Sequence, residues 1–276
     1  MSVVLHLSDP HFGTARPEVA AALLALASEL APDLIVMSGD ITQRARRREF
    51  IAACEFLEGL PPAPRLLVPG NHDIPLFNPV IRLLAPFEAF EASFDVCPDE
   101  IISLPGLLAI GVNSVSRWRH KRGRLSEHDI AAVARRLARA KPGQLRMVVV
   151  HHPLDVADEV DRAEIVTGAR QAVRAWSLAG ADLVLSGHVH RPLCRSLAER
   201  YGPMARGCHA LVAGTALSTR TRGYPNSVNV IRRGGNPQGC VCVVEQWDFD
   251  ATAAAFLLAR QAEVPVTFVQ DSIAAM

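Results

Sequence analysis

The chain has 276 residues, 49% apolar and 21% charged, the balance of an ordinary globular protein. That composition excludes a disordered, collagen-like or coiled-coil chain and leaves room for one large domain or two small ones. With 29 lysines and arginines against 28 aspartates and glutamates, the net charge of +1 gives no support for a nucleic-acid or membrane-surface partner.

In chain order, short apolar runs alternate with helical patterns. Val3–Ser8 predicts a strand, and Pro17–Leu30 a helix with proline in its first turn and apolar residues at Val19, Leu23, Leu26, Ala27 and Leu30. Asp33–Ser38 predicts a second strand, Arg48–Leu57 a helix and Arg65–Val68 a third strand. Residues 76–93 read as interrupted helix, and Leu107–Val112 as strand. Ser126-Glu127-His128-Asp129 is a capping-box start for a helix reaching about Ala140. Met147–Val150, a helix over Ala163–Leu178 and Asp182–Ser186 follow. This alternation predicts helices covering mostly parallel strands. Further on, His209–Ala213, Ser227–Arg232 and Cys240–Trp247 predict strands. The turn-rich segment Arg233–Gly239 predicts an antiparallel hairpin between the last two. The tail from Ala251 reads as helix, then extended chain. One domain over residues 1–276 is expected, with its chemistry in 9–190 and the hairpin and tail in 209–276.

The first apolar run, Val3–Leu7, is too short for a signal peptide, and no run approaches the ~20 apolar residues of a membrane span. The six cysteines, Cys54, Cys97, Cys194, Cys208, Cys240 and Cys242, form no CxxC pair. They read as reduced packing residues of a cytoplasmic protein, not a zinc site.

Five of the predicted strands end in polar groups suited to metals: Ser8-Asp9-Pro10-His11, Ser38-Gly39-Asp40, Pro69-Gly70-Asn71-His72-Asp73, His151-His152-Pro153 and Ser186-Gly187-His188-Val189-His190. Ligand sites of α/β sheets lie beyond the carboxyl ends of strands. Asp9, His11, Asp40, Asn71, His151, His188 and His190 make seven candidate ligands. That is too many for one ion and suits two that share a carboxylate. Carboxylate, imidazole and amide oxygen together suit manganese, iron or zinc.

These motifs, in this order, resemble those of the calcineurin-like metallophosphoesterases. A Gly-Asp dipeptide alone carries little; five motifs in order, each after a strand, are specific. The resemblance implies a four-layer α/β/β/α sandwich of two mixed sheets flanked by helices, with a dimetal site at the strands' carboxyl edge. It implies that Asp9, His11 and His190 hold one metal, that Asn71, His151 and His188 hold the other, and that Asp40 bridges them. His72 would stabilise the transition state or protonate the leaving oxygen. His72 and the His-His-Pro motif look most like the cyclic-nucleotide and glycerophosphodiester branch, so the expected substrate is a small phosphodiester such as a cyclic nucleotide. Monoester or pyrophosphate hydrolysis, nuclease activity and a non-catalytic scaffold are the competing readings. A homodimer is open, and its surface would be sought in the last third of the chain.

Several residues have plainer readings. His6 reads as a core histidine, His128 as exposed, and Asp73 as the group that fixes the turn after His72. His152 reads as a pocket residue beside the ligand His151, and His209 as open to a site role. Many family members carry an aspartate three residues after the bridging one; here that position is Gln43. Arg44 aligns with a phosphate-contacting arginine of the protein-phosphatase branch, yet Arg46, Arg47 and Arg48 make a solvated basic face an equal reading. The basic stretch 117–122, which holds Trp118, Arg119, His120 and Lys121, reads as an exposed loop or as a lid over an anionic or aromatic substrate part. The segment 215–226, with Arg220, Arg222 and Tyr224, raises the same question.

Overall fold

The computed structural model describes residues 2–266 except 77, 98, 120, 205 and 235–239, and of 240 and 241 the backbone alone. The hairpin turn expected over 233–239 therefore lies largely outside the described residues, as do His120 and the tail beyond Val266.

Two mixed sheets lie face to face, each of six strands among the described residues. The first contains β1 (Ser2–Leu7), β2 (Leu34–Met37), β3 (Arg65–Leu67), β10 (Ser227–Arg233), β11 (Cys240–Asp250) and β12 (Ala255–Val266). Its order is β12-β11-β10-β1-β2-β3. The second contains β4 (Ile101–Leu104), β5 (Leu107–Gly111), β6 (Leu145–Val149), β7 (Leu183–Ser186), β8 (Leu193–Ser196) and β9 (His209–Val212), in the order β4-β5-β6-β7-β9-β8. The parallel strands are β1-β2-β3, which form one side of the first sheet out to its edge, and β5-β6-β7-β9, which form the centre of the second. Antiparallel strands β10, β11 and β12 form the other side of the first sheet, and β4 and β8 are the edges of the second.

Period-two alternation builds the layers. In β1, Leu5 and Leu7 face a cluster with Val19, Leu23 and Leu26 of α1 (Pro17–Leu30) and Phe50, Ala53 and Phe56 of α2 (Arg47–Glu58). Val4 faces the other way and joins Leu66, Leu107, Met147 and Leu183 between the sheets. On the far side, Ile110, Val148 and Val184 pack against Ile130, Val133 and Leu137 of α5 (Glu127–Leu137) and Val173 and Trp176 of α6 (Ala169–Ala179). The result is the four-layer sandwich expected. The capping box of α5 forms, with Asp129 N donating to Ser126 Oγ at 3.2 Å.

Three expectations change. The helix over 163–178 is instead a 3-10 turn, Glu159–Glu164, followed by α6. Gly168 adopts φ +95° and Val166 N bonds the Pro153 carbonyl, so the chain between them is extended and cannot continue a helix. The tail from Ala251 is not helical: four turn residues lead into β12, paired with β11 along its length. The alanines favour helix, but the neighbouring strand's open edge prevails. Strands β4 and β8 and the short helix α7 (Leu197–Tyr201) were not expected. The interruption expected in 76–93 separates α3 (Pro79–Leu84) from α4 (Glu88–Phe94) around Pro86.

Among the described residues, no helix is long and apolar enough to cross a membrane. His6 is a core histidine, buried between the sheets with ring nitrogens on Ser38 Oγ (2.9 Å) and Asn229 Nδ2 (3.3 Å). Burial pushes its pKa down to about 3.

Candidate metal centre

All seven candidate ligands follow the carboxyl ends of parallel strands, three in the first sheet and two in the second, and they come together there. Asp9 and His11 follow β1, Asp40 follows β2 and Asn71 follows β3. His151 follows β6, and His188 and His190 follow β7. Asp9, His11, Asp40, His188 and His190 all have positive φ, between 45° and 72°. Non-glycine residues rarely accept that conformation, which turns their side chains off the strand axis and back over the sheet edge. Close packing enforces it. A Cβ at Gly70 would overlap the Asp40 carboxylate and backbone, and one at Gly187 would overlap Ser8 and Asp9.

Neighbouring groups hold each acid. Asp9 Oδ2 accepts from Ser8 Oγ (2.6 Å) and His188 N (2.9 Å), which leaves Oδ1 facing His190 Nε2 at 3.1 Å. Asp40 Oδ1 accepts from His72 N at 2.8 Å. The same oxygen lies 3.4 Å from His151 Nε2, while Oδ2 lies 3.8 Å from His11 Nε2. The carboxylate of Asp40 is thus divided between two groups of histidines. Asp73 accepts from Ile41 N (3.1 Å), Thr42 N (2.7 Å) and Gly70 N (2.8 Å), and so ties the loops after β2 and β3 together. It fixes the turn, as the sequence suggested, and burial pushes its pKa up to about 7, with Asp40 adding to the rise.

The imidazoles are held just as firmly. His151 Nδ1 donates to the Ser38 carbonyl (2.8 Å), His190 Nδ1 to the Arg220 carbonyl (2.6 Å) and His188 Nε2 to Glu164 (3.0 Å). A carbonyl or carboxylate only accepts, so each of these outward nitrogens carries the hydrogen and the inward nitrogen keeps its lone pair. His190 Nε2 then faces Asp9 Oδ1 and His11 Nε2, each at 3.1 Å, and His188 Nδ1 faces His151 Nε2 at 3.2 Å. Acceptors aimed at one another require a cation. In the metal-free protein a proton serves at His151: burial would lower its pKa, but Asp40 more than reverses this and holds it near 9. Burial pushes His11 down to about 3. Asn71 Oδ1 is buried and, among the described residues, without a hydrogen-bond partner. It is a further acceptor that fits a metal. Three groups, Asp9/His11/His190, Asp9/Asp40/His151 and His151/His152/His188, each have their ligand atoms within 4.8 Å of one another. The donor set fits two hard or borderline cations.

His72, His152 and Arg44 are placed differently. The His72 side chain is 14% exposed at the open rim, with Nε2 4.0 Å from Asp40 Oδ2 and Nδ1 donating to the Gln43 carbonyl at 2.8 Å. The acceptor for His72 Nδ1 is thus backbone, not the Gln43 side chain. His152 is buried, with Nδ1 on Ser114 Oγ and Nε2 on the Lys121 carbonyl, both at 2.9 Å. Both nitrogens are engaged, so it anchors the 117–122 loop and offers a substrate only its ring face. Arg44 is half-buried, and its backbone N donates to Glu49 at 2.7 Å. His128 is exposed. His209 opens β9, at the end of the sheet away from the ligands. Glu164 is not singled out in the sequence, and Arg220 only as part of the 215–226 segment; both reach the ligand histidines.

Two sheets that deliver acids and an amide from one side and imidazoles from the other define a fold built around a binuclear metal centre. The family model for calcineurin-like phosphoesterases matches residues 2–192, and the chain belongs to that family. The purple acid phosphatase PPD1 from yellow lupin (Lupinus luteus) seeds has a similar structure, with a TM-score of 0.72 at 10% identity. The match covers 96% of this chain and 53% of that one, so the chain spans about half the lupin protein's length. Vps29 from Chaetomium thermophilum (TM-score 0.48, 13% identity, 97% and 100% of the two chains) and the phosphoesterase Yfce from E. coli (0.42, 14%, 95% and 99%) are more distant. No curated protein matches the chain.

Proposed function

We propose that the chain hydrolyses phosphodiester bonds at a binuclear metal centre, with small diesters such as cyclic nucleotides favoured. The division of Asp40 carries the reading: one oxygen lies 3.4 Å from His151 and the other 3.8 Å from His11. In this reading Asp9, His11 and His190 hold one ion, Asn71, His151 and His188 hold the other, and Asp40 bridges them. Manganese, iron or zinc fits the set. Two such ions would supply charge neutralisation at phosphorus and a water acidified to near neutral pH. The chain supplies the rest. His72, fixed at Nδ1 by the Gln43 carbonyl, presents Nε2 to the rim, where it can pass a proton to the leaving oxygen.

The remainder of a substrate would lie along the loop held by His152. There a cleft of about 530 Å³ is lined by Asn113, Arg117, Trp118 and Arg124. Trp118 is 77% exposed, which suits stacking on a base or other ring. Five described cysteines are free thiols, in keeping with a cytoplasmic setting. The edge strand β12 is the candidate surface for a homodimer.

The test compares bis(p-nitrophenyl) phosphate with p-nitrophenyl phosphate in the presence of Mn²⁺, with Asp40→Ala and His72→Ala as controls. A diester preference that both variants abolish is expected. A monoester preference would move the reading to a phosphatase. Turnover of neither by protein that binds two ions would favour a non-catalytic member.

A further inference from the structure

Arg220 lies in the loop between β9 and β10, 30 residues beyond His190, and no motif marks it. Its backbone is pinned: its N donates to Ser218 Oγ at 3.1 Å, and its carbonyl accepts from His190 Nδ1 at 2.6 Å. The side chain turns into the centre. Nη1 lies 3.2 Å from His11 Nε2, 3.3 Å from His72 Nε2 and 3.4 Å from Gln43 Oε1. The guanidinium is half-buried, and desolvation lowers its pKa. Among the described residues its side-chain hydrogen-bond partners are the neutral acceptors His11, His72 and Gln43. Asp40 and Asp9 attract its charge, and Arg222 and Arg44 oppose them.

The direct contacts of this half-buried cation are neutral acceptors, and the carboxylates that attract it, Asp40 and Asp9, belong to the ligand set, so its donors remain open to an anion. One of those acceptors, His11 Nε2, belongs to the ligand set that fits a metal. A nitrogen that gives its lone pair to a metal cannot accept from Arg220. The guanidinium must then turn to another acceptor, and it stands between the ligand set and His72, where a phosphate oxygen would sit. Planar paired donors suit that oxygen pair better than an ammonium does.

We propose that Arg220 is a phosphate-binding residue that guards the centre: it caps His11 and His72 in the metal-free protein and releases them to clamp the phosphoryl oxygens once metal is bound. The inference rests on the binuclear reading above and adds a residue with two opposed effects. Removing the guanidinium weakens phosphate binding but removes a competitor, and a repelling charge, from the metal. A residue that merely shaped the loop would weaken both.

The experiment titrates Mn²⁺ into metal-free protein by calorimetry, then inorganic phosphate into the metal-loaded protein, for wild type, Arg220→Gln and Arg220→Lys. Arg220→Gln is expected to bind phosphate roughly ten- to a hundredfold more weakly, the loss of one or two charged hydrogen bonds. Its Mn²⁺ affinity is expected to equal or exceed that of wild type. Arg220→Lys keeps the charge and the loop and is expected to recover part of the phosphate affinity, which separates a charge effect from misfolding. Unchanged phosphate affinity in Arg220→Gln, or parallel losses of Mn²⁺ and phosphate in both variants, would overturn the inference and leave the binuclear reading standing. A wild-type protein that takes up no Mn²⁺ would overturn both.

Discussion

The two sheets contribute unlike halves to one site. From the first come Asp9, Asp40 and Asn71 with the single imidazole His11; from the second come His151, His188 and His190. The first half is organised by backbone. Its loops are zipped in parallel, with Asp9 N on the Gly39 carbonyl (3.0 Å), His11 N on the Asp40 carbonyl (3.1 Å) and Phe12 N on the Ile41 carbonyl (2.8 Å). The second half is organised by acceptors outside the ring, Ser38, Glu164 and the Arg220 carbonyl, two of which come from other parts of the chain. In the proposed assignment each ion takes ligands from both halves. Metal binding should therefore act as a staple between sheets as well as a catalyst.

Asp40 is the residue most exposed to this logic, because its two oxygens are divided between His151 (3.4 Å) and His11 (3.8 Å). Asp40→Ala is expected to cost roughly a thousandfold or more in kcat/KM, equivalent to about 4 kcal/mol of barrier. Metal analysis of the same variant should show fewer than two ions per chain. Retention of both ions would end the bridging assignment even if activity fell.

Removing metal tests the staple directly. At a free metal concentration near 100 Kd, binding to the folded state alone contributes about 2.7 kcal/mol. Thermal unfolding of chelated protein is expected to fall by several degrees against the Mn²⁺-loaded protein. Equal midpoints would mean that the two halves hold together without the ion. Metal uptake should also release a proton near pH 8. His151 is protonated below about 9 in the metal-free protein, and a metal must displace that proton. Calorimetry in buffers of different ionisation enthalpy would read it.

The sequence reveals these halves unequally. The ligands are legible because each is a polar group set immediately after an apolar strand, a signal that needs only local pattern. The supporting residues are not. Glu164 is 24 residues from His188 and lies in a 3-10 turn that the sequence presents as the start of a helix. Ser38 and Arg220 act through backbone carbonyls, which any residue possesses. In the fold, the long parallel strands are legible from their apolar runs. β12 is not, because its sequence alternates weakly and its strand character comes from the partner β11.

Glu164 offers a finer test of the second half. Its carboxylate fixes the His188 tautomer from outside, at 3.0 Å, and it is partly exposed. Glu164→Gln keeps the shape and a carbonyl acceptor but removes the charge. We expect metal affinity to fall about tenfold, the lower end of what such outer partners contribute. Glu164→Ala should fall further, towards a hundredfold. Equal affinity in both variants would show that His188 needs no help to face inward.

The smallest effect belongs to the rim, where the contrast with the buried centre is greatest. The 117–122 loop is held by its main chain: Arg82 donates to the carbonyls of Arg117 (3.0 Å) and Arg119 (3.1 Å), and His152 bonds that of Lys121 (2.9 Å). Replacing the Arg119 and Lys121 side chains by alanine leaves those carbonyls in place, so the loop should keep its course. Both side chains belong to exposed residues, where water and salt screen charge. The double variant is expected to raise KM for a nucleotide-like diester about two- to fivefold at low ionic strength. kcat should not change, because neither side chain touches the ligand set or His72. The KM difference should shrink as salt is raised, the mark of a screened attraction and not of a lost contact. An unchanged KM at low salt would leave the loop as surface, and would confine substrate recognition to the buried centre and the residues that face it.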